Sequence, residues 1–162
     1  MSALHKSFGS FEIKSVDEEK RTFTGTASTP NQDRSKDIMV PKGAKFKLPM
    51  PLLFHHDMRS PIGHVTSAKV TDKGIEVEIH IPEIKEEGKL KDRVDEAYQS
   101  LKYDLVKGLS VGFLPNWDTA EMIKGGGIKF EDWEWYELSL VTIPDNRDSG
   151  TDFKKAFEEH KA

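Results

Sequence analysis

The sequence predicts a β-rich α+β domain, built as a closed or partly closed barrel flanked by helices. Three observations predict it. One segment alternates strictly between apolar and polar residues, Ile75, Val77, Ile79 and Ile81 against Glu76, Glu78 and His80. Several further short runs of strand character are separated by turn formers. Against these stands a single long stretch of helical period, with Val94, Ala97, Tyr98, Leu101 and Leu105 at spacings of three and four.

The first strand contains Phe11, Ile13 and Val16, and the charged turn Asp17-Glu18-Glu19-Lys20 leads to a second, Arg21 to Ser28. The second carries threonines on one parity and Phe23, Gly25 and Ala27 on the other, as a half-buried strand does. Thr29 to Asp37 is rich in turn formers and reads as a loop. Pro49, Pro51 and Pro61 bracket His55-His56. Ile62 to Val70, the turn Thr71-Asp72-Lys73-Gly74 and Ile75 to Ile81 make a hairpin. The helix is expected over 87–107, with Gly108 closing it in the left-handed conformation. Strands resume at Leu109 to Leu114 and Ile128 to Val141, and Gly125-Gly126-Gly127 between them reads as a flexible loop or hairpin tip. Residues 1–150 form the domain, and 151–162 a charged tail or short helix carrying Phe153 and Phe157.

The composition narrows the function. A chain of 162 residues, 36% hydrophobic and 32% charged, is long enough for one domain with a real core. A net charge of −4 argues against a dedicated nucleic-acid surface. No apolar run approaches the roughly 20 residues of a membrane span, and the N-terminus lacks the apolar stretch of a signal peptide. The absence of cysteine removes disulfides, thiolate metal sites and a cysteine nucleophile, and the chain reads as cytosolic.

Candidate chemistry centres on Gly108-Leu109-Ser110-Val111-Gly112-Phe113, where small and apolar neighbours surround one hydroxyl. Such a run serves tight packing, or it presents a nucleophile with room beside it for a substrate backbone at Gly112. A serine nucleophile needs a base within hydrogen-bond reach, and histidine is the usual one. Of six histidines, His5 and His160 lie near the ends, His80 falls on the polar parity of its strand, and His64 begins a strand beside Gly63. His55 and His56 remain, and as neighbours in an extended chain only one of them faces a given site. The same geometry turns Asp57 away from His56. Glu137, in Trp133-Glu134-Trp135-Tyr136-Glu137-Leu138-Ser139-Leu140-Val141, is either a strand-edge carboxylate facing water or a buried one paired with an imidazole.

At these residues the chain resembles the HK97-type phage prohead proteases, serine peptidases that mature viral capsids. The resemblance spans about residues 10–147 in four ordered blocks. They are Phe23-Thr24-Gly25-Thr26-Ala27-Ser28 with Asp33-Arg34 and Asp37-Ile38; Pro51 to Asp57 with Pro61-Ile62-Gly63; Gly108 to Phe113; and Tyr136 to Val141 with Pro144 and Asn146. The resemblance implies Ser110 as nucleophile, His56 rather than His55 as base, and Glu137 as the third member. It implies the barrel fold of the herpesvirus assembly proteases, with Glu137 in the role of their second histidine. Asp145 stands where the family commonly has alanine. Oxyanion donors would be backbone N–H groups, with Arg147 as a cationic candidate. The implied substrates are scaffold protein, scaffold segments of the major capsid protein and the protease itself, cut in the host cytoplasm inside the assembling procapsid. No cofactor or metal is implied, no nucleic-acid or membrane partner is expected, and a homodimer stays open. Two other readings are a non-catalytic head-assembly protein of the same fold, and a metal-dependent hydrolase using His55, His56 and Asp57 with His64 or His80.

Overall fold

Alternation and turn chemistry produce a chain made mostly of strands. The structure is a computed structural model that describes residues 5–31, 36–106 and 108–142, with the backbone alone for 5–16. In chain order the strands are β1 (His5–Asp17), β2 (Thr22–Ser28), β3 (Ile38–Met39), β4 (Ala44–Lys45), β5 (Met50–Phe54), β6 (Asp57–Thr71) and β7 (Gly74–His80). The helix α1 (Lys89–Lys102) follows, then β8 (Gly108–Pro115), β9 (Glu121–Met122), β10 (Ile128–Phe130) and β11 (Trp133–Val141). Eight strands pair in the order β4-β11-β5-β6-β7-β2-β1-β8, and β11 also pairs with β8, which curls the sheet on itself. A small second sheet has the order β3-β10-β9. The fold is therefore β-rich and barrel-like, with one α-helix and one short 3-10 turn (Pro41–Gly43) among the described residues. The helix expected in the tail, like Lys107 and Arg147, lies outside them.

The alternating segment behaves as its pattern requires. Ile75, Val77 and Ile79 of β7 are buried while Glu76 and Glu78 are exposed. They join Phe23, Ile62, Val65, Leu109, Val111, Phe113, Leu138 and Leu140 in one core inside the curl. From α1, Val94, Ala97 and Leu101 enter this core. Burying Val94 and Leu101 contributes about 1.5–3 kcal/mol each. Tyr98 packs its ring edge-on to Phe23, with centroids 5.9 Å apart.

The helix is shorter than its periodicity predicts. Asp104 takes the left-handed conformation at φ 60°, and the N–H groups of Leu105 and Val106 both turn back to the Ser100 carbonyl. Leu105 is consequently exposed, and Val106 is buried in its place. Gly108 does not close the helix. It is a strand residue of β8, opposite Val141 of β11. Gly125, Gly126 and Gly127 all have positive φ and form the tip between β9 and β10, a conformation that glycine adopts at no steric cost.

Two residues of the resembling blocks hold the fold together. Buried Asp37 accepts the Ile128 N–H at 2.9 Å and so ties β3 to β10. Gly63 lets β6 lie against the backbone of β7: a Cβ there would sit 2.1 Å from the His80 carbonyl oxygen. Gly63→Ala is expected to destabilise the protein by about 1–3 kcal/mol, as an overpacked site does. Urea titration of both proteins measures it, and an unchanged midpoint would contradict the contact. Among the described residues, no helix is long and apolar enough to cross a membrane.

Candidate active site

Three strands build the site, and β11 lies between the other two. It runs antiparallel to β8, with Ser139 opposite Ser110 and Glu137 opposite Gly112. It runs parallel to β5, with Ser139 opposite Leu53 and Leu140 opposite Phe54. A bulge at Tyr136 shifts the register between Trp135 and Glu137. Trp135 therefore points into the core, while Glu137 and Ser139 share the face that carries Ser110. The Trp135 indole N–H donates to the Glu137 carbonyl at 2.8 Å and holds the bulge.

The two histidines are not neighbours in an extended chain, as their sequence setting suggested. They are the central pair of a two-residue hairpin turn, because Phe54 and Asp57 face each other across β5 and β6. His55 has φ 54° and His56 φ 58°. Positive φ at both central residues is what a type I′ turn demands, and it usually recruits Asn-Gly. A bulky residue held in this conformation costs on the order of 1–2 kcal/mol, a strain found typically at functional sites. The turn is pinned to β11 at both residues: the His55 N–H donates to the Leu140 carbonyl at 3.0 Å, and the His56 N–H to the Ser139 hydroxyl at 3.1 Å. The pairing sends the two imidazoles different ways. His55 is exposed and lies against Phe54, with ring centroids 4.3 Å apart. His56 turns inward, its side chain 4% exposed.

His56 Nε2 lies 2.7 Å from the Ser110 hydroxyl. Its Nδ1 is hydrogen-bonded to Glu137 Oε1, and the other carboxylate oxygen, Oε2, accepts the Ser139 hydroxyl at 2.7 Å. The structure thus brings Ser110, His56 and Glu137 into one line. Glu137 is the buried, paired carboxylate of the two readings its strand allowed, at 2% exposure. Asp57 turns elsewhere: the Arg59 backbone N–H, and then the Ser60 hydroxyl, hold its carboxyl below the usual carboxylate range. His64 and His80 face each other across β6 and β7. Among the described residues, no three His, Cys, Asp or Glu side chains are placed to hold a metal ion.

Gly112 has a different use from the one its sequence suggested. The space over it is filled by Glu137 and is not open to a substrate backbone: a Cβ would sit 2.1 Å from Oε1 and 2.8 Å from Cγ. Gly112→Ala is expected to push the carboxylate off Nδ1, to slow the reaction roughly 10²-fold and, because the site is overpacked and a buried carboxylate loses its partner, to destabilise the protein by about 1–3 kcal/mol. Initial rates and melting curves on one preparation measure both. Ser139 also bonds within this cluster and was not singled out along the sequence, although its position two residues from Glu137 on the same strand face was legible.

A line of this kind can deprotonate a hydroxyl and stabilise the resulting imidazolium. Ser110 itself is fully buried.

Comparison with known proteins agrees with this chemistry. The model of the caudovirus prohead serine protease family matches residues 9–162. The chain is 51% identical over 160 residues to a capsid polyprotein of Pseudomonas phage PAJU2, across 98% of this chain and 24% of that protein. It is 30% identical over 163 residues to a prohead protease of Escherichia phage T5, across 91% of this chain and 71% of that protein. It therefore spans about a quarter of the polyprotein's length. No solved structure matches.

Proposed function

Since this chain belongs to the caudovirus prohead serine protease family, we propose that it is an endopeptidase acting through Ser110, His56 and Glu137. The observation that carries the proposal is the unbroken contact from the Ser110 hydroxyl through both ring nitrogens of His56 to Glu137. With its proton on Nδ1 and donated to Glu137, the ring leaves Nε2 free to accept the Ser110 proton as the oxygen attacks a peptide carbonyl. The imidazolium then gives that proton to the leaving amine, and an acyl-enzyme remains on Ser110. Water then attacks the acyl carbon as His56 takes its proton, and His56 returns that proton to Ser110 Oγ as the ester bond breaks and the new carboxylic acid product leaves. The oxyanion is met by backbone N–H groups, with Arg147 as the cationic candidate just past β11. Glu137 holds the ring in the Nδ1–H tautomer and balances its charge, at a burial where an unpaired carboxylate would be costly.

The substrates in this reading are scaffold protein, scaffold segments of the major capsid protein and the protease chain itself, cut within the assembling procapsid in the host cytoplasm. The similarity to a capsid polyprotein and to a prohead protease supports them. The test co-expresses the chain with its capsid protein and follows processing by intact mass, with and without chelator. Processing that survives chelator and vanishes in Ser110→Ala supports the reading, and processing that survives Ser110→Ala sinks it.

A further inference from the structure

We infer that Ser139 is a positioning residue of the active site, whose single hydroxyl fixes the base and its orienting carboxylate to each other. The inference rests on the Ser110–His56–Glu137 reading and goes beyond it. Ser139 is fully buried, beside Ser110 on one flank and Leu53 on the other. Its O–H donates to Glu137 Oε2 at 2.7 Å, while its oxygen accepts the His56 backbone N–H at 3.1 Å.

These two bonds address the two soft points of the site. Glutamate has three rotatable side-chain bonds, and its carboxylate can turn either oxygen, or neither, toward an imidazole. Holding Oε2 on the same strand leaves Oε1 aimed at Nδ1. His56 sits in a turn of unfavourable backbone conformation, which relaxes readily unless its backbone is tied. The bond from its N–H to Ser139 ties it to the strand that carries Glu137. Both bonds end on one oxygen atom, so a displacement of the turn and a rotation of the carboxylate are resisted together. Alanine at 139 keeps the strand and the packing but removes both bonds.

Ser139→Ala is expected to lower kcat for capsid-protein cleavage roughly 10- to 100-fold with KM within about twofold, because geometry is lost and substrate contacts are not. The far-downfield proton resonance of His56 Nδ1–H should weaken or vanish in the same protein. Ser139→Cys, close in size and a weaker donor, should fall between wild type and alanine, and it carries the test if alanine folds poorly. The decisive arm is a cycle with Glu137→Ala: once Glu137 is absent, Ser139→Ala should cost clearly less than it does in the wild type, since only the tie to the His56 N–H is then left to lose. Losses that multiply in full in the double variant, a raised KM with kcat intact, or an Nδ1 resonance as strong as in the wild type would overturn the inference. Near-normal activity in Glu137→Ala would instead overturn the orienting role of Glu137, and the role of Ser139 with it. The proposed nucleophile is checked separately by Ser110→Ala.

Discussion

Ser110→Ala is expected to abolish processing, with a loss of roughly 10⁴-fold or more in kcat. The replacement deletes one oxygen from a fully buried position and leaves a methyl group that β8 already accommodates. Its partner, His56 Nε2, then has no proton to take. The size of the loss follows from what remains: oxyanion donors and substrate binding still help, but no acyl-enzyme can form. The measurement is intact mass of capsid protein co-expressed with either chain, together with melting curves of both proteases. A folded Ser110→Ala protein that still trims the capsid protein would refute the assignment. A variant that melts at the wild-type temperature and trims nothing would separate chemistry from stability.

The second large effect falls on Glu137. Its carboxylate accepts two hydrogen bonds, from His56 Nδ1 through Oε1 and from Ser139 through Oε2. Glutamine keeps the shape but offers one acceptor and one donor. With the amide oxygen toward His56, the ring keeps its tautomer but loses the negative charge that balances the imidazolium. With the NH₂ toward His56, the proton moves to Nε2 and the ring can no longer accept from Ser110. Glu137→Gln is therefore expected to cost roughly 10²- to 10⁴-fold in kcat. Rates of capsid-protein cleavage for the two proteins decide it, and activity within threefold of wild type would remove Glu137 from the mechanism.

Much of this site was legible along the chain. Ser110 stood out because small residues surround a hydroxyl, and Glu137 because a carboxylate interrupts an apolar strand. The choice of His56 over His55 came from the family resemblance, because extended-chain geometry allowed either. What separates the two rings is a tight turn with positive φ at both residues, and nothing in a His-His pair announces that conformation, which usually shows itself as Asn-Gly. The helix end was misread for a similar reason. Gly108 is the residue most at ease in the left-handed conformation, yet Asp104 takes it, once the chain has to bring Val106 into the core. The cost of strain at one residue was smaller than the gain from burial elsewhere, and only the packed structure sums both.

The sequence by itself determined the strands, the helix and the chemical kinds of the candidate residues, because periodicity and side-chain chemistry are local properties. Ile75, Val77 and Ile79 face the core wherever the strand is placed. Tertiary structure alone decided which residues meet. Register across β8 and β11 sets Ser139 beside Ser110 and fills the space over Gly112 with Glu137. The bulge at Tyr136 places Glu137 on the face that carries Ser110, and the turn at His55-His56 brings an imidazole between the two. These are contacts between residues 25 to 83 positions apart. They depend on how strands pair and where they bulge: a one-residue slip in pairing would turn Glu137 into the core and Trp135 out of it, and loss of the bulge would put both on one face.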